Sequence, residues 1–256
     1  MEPRIIFMKR EPIGKNCGVY VSHEYRFGTD AVLLSHFAAQ RQKDTVCDLG
    51  CGSGIIPMLL CRDNPHLKIF GVDIQKEACL LSQKAADENG FSGFRALCAD
   101  LRDPIAEIPP HSLSLVTCNP PYKKAGAGLK NETAERRIAR HEECCTLPQV
   151  AAAAARLLKS GGRFTVCHRP ERLCDLLCAL REARLEPKRL RTVAQRQNAE
   201  PWLILVEARF DGKPGMRIDP TLIIEDENGA LTPEMKAIYG PYKFEADENE
   251  AMQTNE

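Results

Sequence analysis

Between about Thr45 and Cys167 the chain alternates short apolar runs with longer stretches in helical period. The short runs, near 45–49, 68–73, 94–98, 113–118 and 162–168, predict strands. The stretches at about 54–62, 75–89, 143–159 and 170–184 predict helices; the third carries the helix-forming run Ala151–Ala155 and reaches the Gly161-Gly162 pair expected to end it. Such alternation predicts an α/β fold, a parallel sheet covered by helices. After Pro187 two extended runs, about 189–196 and 202–210, flank Asn198-Ala199-Glu200-Pro201 and predict an antiparallel hairpin appended to that sheet. Residues 1–28, with Pro, Gly and Tyr at turn-like spacing, predict a small N-terminal extension, itself a hairpin; 29–240 form the main domain, and 241–256 a polar acidic tail that frays.

The composition, 43% hydrophobic and 27% charged with formal net charge +0, is that of a water-soluble globular protein. No window approaches the ~18 consecutive apolar residues of a membrane-spanning helix, and the first residues lack a secretory signature, so a cytoplasmic location without membrane contact is expected. The twelve cysteines sit in apolar runs such as Val46-Cys47-Asp48 and read as small buried hydrophobes. Cys47 and Cys51, Cys174 and Cys178, and Cys144-Cys145 do not make paired C-x-x-C sets, so no metal site is expected.

Candidate chemistry begins where the first strand of the sheet ends, in Asp48-Leu49-Gly50-Cys51-Gly52-Ser53-Gly54. Glycines permit positive φ and a close backbone approach to a ligand, and the helix start behind them offers N–H groups. The spacing G-x-G-x-G differs from the dinucleotide pattern G-x-G-x-x-G, and Asp48 would repel a pyrophosphate. The same carboxylate suits the ammonium and sulfonium of S-adenosylmethionine. Asp73 ends the second strand, where a ribose diol can donate to it, and Asp100 ends the third, where an adenine amino group can. This order and spacing resemble class I S-adenosylmethionine-dependent methyltransferases.

The fourth strand runs into Asn119-Pro120-Pro121-Tyr122 at the ligand-binding edge of such a sheet. A planar NH₂ conjugated to a π-system is a poor nucleophile. If the Asn119 side-chain carbonyl and the Pro120 backbone carbonyl each accept one of its N–H groups, its lone pair is aimed at the methyl. Two prolines fix an extended backbone, and Tyr122 supplies a stacking face. The tetrapeptide resembles that of adenine-N6, guanine-N2 and protein glutamine methyltransferases, and by itself does not choose between base and amide.

Residues 123–140 carry six basic residues against two acids, and 156–196 eleven against four, local excesses of +4 and +7 that suit phosphates. Residues 225–256 hold nine acids against two lysines, so the neutral total is a sum over segregated segments. Tyr25 to Leu34, Asp48 to Gly54, Asn119 to Tyr122, Ala139-Arg140-His141-Glu142, Pro170-Glu171-Arg172-Leu173 and Gly212-Lys213-Pro214-Gly215 are similar to the bacterial tRNA1(Val) adenine-N6 methyltransferases over about residues 5–240.

That resemblance implies a Rossmann-like, mostly parallel seven-stranded sheet with a C-terminal antiparallel hairpin. It implies S-adenosylmethionine as cofactor and methyl transfer to adenine 37 in a tRNA anticodon loop, engaged through segments 123–140 and 156–196. By position it implies cofactor contacts from Thr29, Asp30, Asp48, Gly50, Cys51, Gly52, Gly54, Asp73, Ile74, Asp100, Leu101 and Asn119, with Thr29 and Asp30 closing over the methionine end. Asn119, Pro120, Pro121 and Tyr122 form the catalytic set, and His141 orders its loop, touches RNA or merely caps a helix start. The alternatives are a guanine-N2 or glutamine-N5 methyltransferase with the same motif and an inactive S-adenosylmethionine- or RNA-binding partner protein. The latter would not need Asn119 and Pro120 together.

Overall fold

The computed structural model describes residues 8–22, 25–120 and 145–240. The extension forms a two-stranded antiparallel hairpin, β1 (Lys9–Gly14) with β2 (Cys17–Val21). Its apolar side chains Ile13, Cys17, Val19 and Val21 join the main hydrophobic cluster. Asn89 ties the hairpin down: its Oδ1 accepts from Arg10 Nη2 at 2.7 Å and Gly18 N at 3.0 Å, and its Nδ2 donates to Gly18 O at 2.7 Å.

The central sheet is built from β3 (Thr45–Leu49), β4 (Lys68–Asp73), β5 (Phe94–Cys98), β6 (Leu113–Cys118), β7 (Leu158–His168), β8 (Leu185–Ala194) and β9 (Leu203–Phe210). Two short strands, β10 (Arg217–Ile218) and β11 (Leu222–Ile223), add to its outer edge along β8. The order is β10-β8-β9-β7-β6-β3-β4-β5, nine strands among the described residues once β11 is included. The seven long strands are those expected; the two short ones, with only two residues each, carry no readable periodicity. Strands β3 to β7 run parallel, and β9 lies antiparallel between β7 and β8.

Helices α1 (Thr29–Ala38), α2 (Ile55–Asp63), α3 (Lys76–Asn89), α4 (Leu147–Leu157), α5 (Leu173–Glu182) and α6 (Pro233–Tyr239) accompany the sheet, with one turn of 3₁₀ helix at Pro170–Arg172 before α5. The pattern along the chain did not announce α1. Seven of its residues, Ala31 to Ser35 with Phe37 and Ala38, are buried, so the polar face that marks an amphipathic helix is missing. Helix α4 starts behind the capping box of Thr146 and Gln149 and stops at Leu157, short of the glycines. Leu158 instead turns extended, is fully buried and pairs with Leu113, so tertiary pairing overrides the helical run and β7 begins four residues earlier than expected. Likewise β8 starts at Leu185, its Pro187 accommodated beside a bulge between Pro187 and Arg189.

From β3 the chain builds outward on one side through β4 and β5 and on the other through β6 and β7. The crevice between β3 and β6 is therefore a topological switch point, the place where open α/β sheets bind ligands. Among the described residues no helix is long and apolar enough to cross a membrane. Of the eleven described cysteines, all free, seven are buried, whereas Cys98, Cys174 and Cys178 are exposed, contrary to a uniform reading as buried hydrophobes.

Candidate cofactor and acceptor site

The glycine turn after β3 has Gly50 at φ +72°, Gly52 at +54° and Gly54 at +87°. A side chain at Gly50 or Gly52 would meet nothing within 4 Å, so open space lies above both. At Gly54 a Cβ would stand 2.8 Å from Ser82 Cβ, so that glycine lets α2 and α3 close together and caps α2. It lines neither cavity described below, unlike the cofactor contact expected of it.

Most N–H groups of the turn itself are already bonded. Gly50 N and Cys51 N donate to Val72 O at 2.8 and 3.0 Å, Gly54 N donates to Cys51 O at 2.9 Å, and Gly52 N donates to Asp73 Oδ2 at 2.9 Å. What these residues contribute is clearance.

Asp73 also accepts from Gln75 N at 2.9 Å, on Oδ1. Each oxygen thus carries one backbone bond and keeps a lone pair for a diol. Asp48 is 1% exposed, and Thr117, its register partner on β6, donates to its Oδ1 at 2.6 Å. Burial pushes the Asp48 carboxyl up to about 7; the Thr117 hydrogen bond opposes this and the Asp73 charge adds to it. A cation placed beside Asp48 would reverse the shift.

Two cavities meet here. The first, of about 240 Å³, has Asp73, Ile74, Gln75, Asp100 and Leu101 in its wall; the second, of about 210 Å³, has Arg26, Asp30, Asp48 and Cys51. Tyr25, Gly50, Gly52 and Asn119 line both, so they form one trough. Tyr25 was not singled out as a site residue; its hydroxyl donates to Gln75 Oε1 at 2.9 Å across the trough wall.

Asn119 follows the last residue of β6. Its Nδ2 donates to Asp30 Oδ2 at 3.2 Å, and its Oδ1 accepts from Cys167 Sγ at 3.0 Å. Pro120 lies beside it in the first cavity. Pro121, Tyr122, His141 and the whole basic segment 123–140 lie outside the described residues.

Two further residues are placed differently from expectation. Thr29 turns to the C-terminal helix, its Oγ1 3.0 Å from the Tyr239 hydroxyl, and lines neither cavity. Asp100 is engaged on both oxygens by the Arg102 guanidinium and on Oδ1 by Arg102 N at 2.9 Å, which lowers its pKa and occupies the lone pairs expected to meet an adenine amino group. Adenine would have to displace Arg102 to reach this carboxylate.

Several arginines of the basic segment 156–196 are paired within the fold. Arg163 is 5% exposed and pairs with Asp44 at 2.8 Å and Glu207 at 3.5 Å. Arg156 donates to the carbonyls of Leu101, Arg102 and Asp103, bracing the wall of the first cavity. Arg184, Arg189, Arg191 and Arg196 pair with Asp211, Asp219, Glu234 and Glu225. The net charge of the segment read from the sequence is therefore offset by acids from elsewhere in the fold. Among the described residues no cluster of three His, Cys, Asp or Glu side chains is placed to hold a metal ion.

The sequence profile of the methyltransferase small domain matches residues 12–179. A protein of Porphyromonas gingivalis named tRNA1(Val) (adenine(37)-N6)-methyltransferase is 30% identical over 229 residues, covering 85% of this chain and 88% of its own. One of the same name from Parabacteroides distasonis is 27% identical over 185 residues, covering 71% and 76%. Among solved structures, a predicted O-methyltransferase of Agrobacterium tumefaciens superposes with a TM-score of 0.68 at 19% identity, over 82% of this chain and 95% of that one. Geranyl diphosphate C-methyltransferase of Streptomyces coelicolor, solved with S-adenosyl-L-homocysteine, follows at 0.51 and 14%, over 71% and 78%. These structures share the fold.

Proposed function

Given that the chain belongs to the methyltransferase small domain family, we propose that it transfers a methyl group from S-adenosylmethionine to N6 of an adenine in tRNA, specifically adenine 37 of tRNA1(Val). The observation that carries this reading is the amide of Asn119, standing with Pro120 at the end of β6 where the two cavities meet. The names of the Porphyromonas and Parabacteroides relatives support the choice of adenine and of the tRNA.

The residues of the trough fit the cofactor. The open space over Gly50 and Gly52 admits a ligand against bare backbone, and the carboxylate of Asp73 has lone pairs left for a ribose diol. Asp48, buried and held short of full ionisation, gains a counter-ion when a cation arrives. Bound S-adenosylmethionine supplies an electrophilic methyl carbon on a sulfonium.

The chain's own contribution is positioning. Asn119 Oδ1 and the Pro120 carbonyl accept the two N–H groups of the adenine amine, which holds it in plane and directs its lone pair across the trough. No side chain has to remove a proton beforehand, because the nitrogen loses it to water after transfer. An anticodon-loop base is single-stranded, so splaying it into the trough avoids breaking a duplex pair. Ile74, half-exposed, and Leu101 line the apolar end where the cofactor's own base would rest.

The test is incubation with S-adenosylmethionine labelled in the methyl group and total tRNA from a strain lacking this gene, followed by digestion and identification of the product. N6-methyladenosine mapping to position 37 is expected. Label on protein, as a glutamine-N5 enzyme would give, or on guanine-N2 overturns the assignment.

A further inference from the structure

The acceptor asparagine is gripped from two sides by groups of opposite polarity. Strand β7 runs parallel to β6 with Val166 opposite Cys118, so the next residue, Cys167, comes beside Asn119. Its Sγ lies 3.0 Å from Asn119 Oδ1. On the other side the first turn of α1 brings Asp30, whose Oδ1 accepts from Ala31 N at 2.9 Å and whose Oδ2 accepts from Asn119 Nδ2 at 3.2 Å.

We propose that Cys167 and Asp30 are positioning residues that fix which end of the Asn119 amide faces the acceptor nitrogen. An asparagine amide has one accepting and one donating end of nearly equal size, and only the accepting end can hold an N–H of the substrate. A flipped amide would set its oxygen against the Asp30 carboxylate and its NH₂ group towards the thiol hydrogen. It would also offer an NH₂ group to the amine it must orient.

The thiol is equipped to donate. Cys167 is fully buried, and burial together with the Asp30 charge holds its pKa well above the usual thiol range, so it stays S–H. Oxygen Oδ1 has two lone pairs, of which Cys167 uses one.

The inference rests on the acceptor role given to Asn119 above, but not on adenine: a guanine or glutamine NH₂ would need the same orientation. It is therefore tested on whichever substrate takes label from the wild-type enzyme. Cys167→Ala removes the donor and Cys167→Ser restores one. The measurements are kcat and KM for the labelled substrate, S-adenosylhomocysteine affinity by calorimetry, and the thermal midpoint.

Cys167→Ala is expected to lower kcat by about 10–100-fold, the scale of a misoriented reacting group, with cofactor affinity nearly unchanged. Cys167→Ser should recover most of the rate. A Cys167→Ala enzyme with wild-type kcat overturns the proposal. So does equal impairment of both variants, or loss of kcat only in step with cofactor affinity, since either would mark Cys167 as packing alone. Label on a base other than adenine, with the Ala and Ser variants behaving as expected, would sink the adenine assignment and leave this inference standing.

Discussion

Asp48 should make the cofactor-free protein less stable as pH rises through neutrality, and Asp48→Asn should remove that dependence. Its carboxyl, at 1% exposure, is pushed up from 3.8 to about 7, chiefly by burial. The folded state thus holds this proton more tightly than the unfolded chain does. The stabilising contribution is complete below about pH 4 and is lost as pH climbs past about 7. At 1.36 kcal/mol per pK unit the full loss is about 4 kcal/mol, and linkage places about 2 kcal/mol of it between pH 5.5 and 8.5.

Asparagine cannot ionise, and its carbonyl can still accept from Thr117. In urea unfolding of the apo-protein, the stability of Asp48→Asn relative to wild type should therefore rise by about 2 kcal/mol across that window, or about 4–8 °C in Tm for a chain of this size. Parallel pH curves for the two proteins would refute the reasoning, because they would mean that Asp48 ionises as it does in the unfolded chain. A cofactor cation favours the ionised form, so binding near pH 6.5 should release protons. Calorimetry in buffers of different ionisation enthalpy reads that release, and none is expected from Asp48→Asn.

Asn119→Ala should abolish transfer while S-adenosylhomocysteine affinity, followed by calorimetry, stays close to wild type; equal loss of both would make the residue structural. Arg156→Ala strips the carbonyls of Leu101, Arg102 and Asp103 of a shared donor. It should cost about 1–3 kcal/mol in denaturant unfolding and weaken cofactor binding through the loosened wall. The glycines should separate. Gly54→Ala drives a Cβ to 2.8 Å from Ser82 Cβ and adds backbone strain at φ +87°, so a fall in Tm is the main effect. Gly50→Ala carries comparable backbone strain at φ +72° but meets nothing within 4 Å in the protein, so its Tm should fall less than that of Gly54→Ala while cofactor affinity drops as well, which a thermal-shift titration reads.

Strand ends and turns were legible along the chain because they are decided within a few residues. Asp48, the glycine turn, Asp73 and Asn119-Pro120 do converge on one trough, since strands of known order in a parallel sheet bring their C-terminal ends to one edge. Helix α1 was hidden because burial nearly all round erases the polar face. The true end of α4 was hidden because Leu158 answers to Leu113, not to its own neighbours.

The residues that condition the site were equally out of reach. Thr117 meets Asp48 only through the β3–β6 register, and Asp30 and Cys167 reach Asn119 across separations of 89 and 48 positions. Arg102 captures Asp100 from two positions away, yet no local pattern distinguishes that pair from a free carboxylate.

Charge shows the division most sharply. The sequence by itself determines that basic and acidic residues are segregated into blocks on a chain whose total charge is zero. Only the fold decides that Arg191 meets Glu234, Arg196 meets Glu225 and Arg163 meets Asp44 and Glu207. Charges interact over roughly the 8–10 Å of a Debye length whatever their separation along the chain, so the charge a basic run presents is set by the partners the fold brings to it.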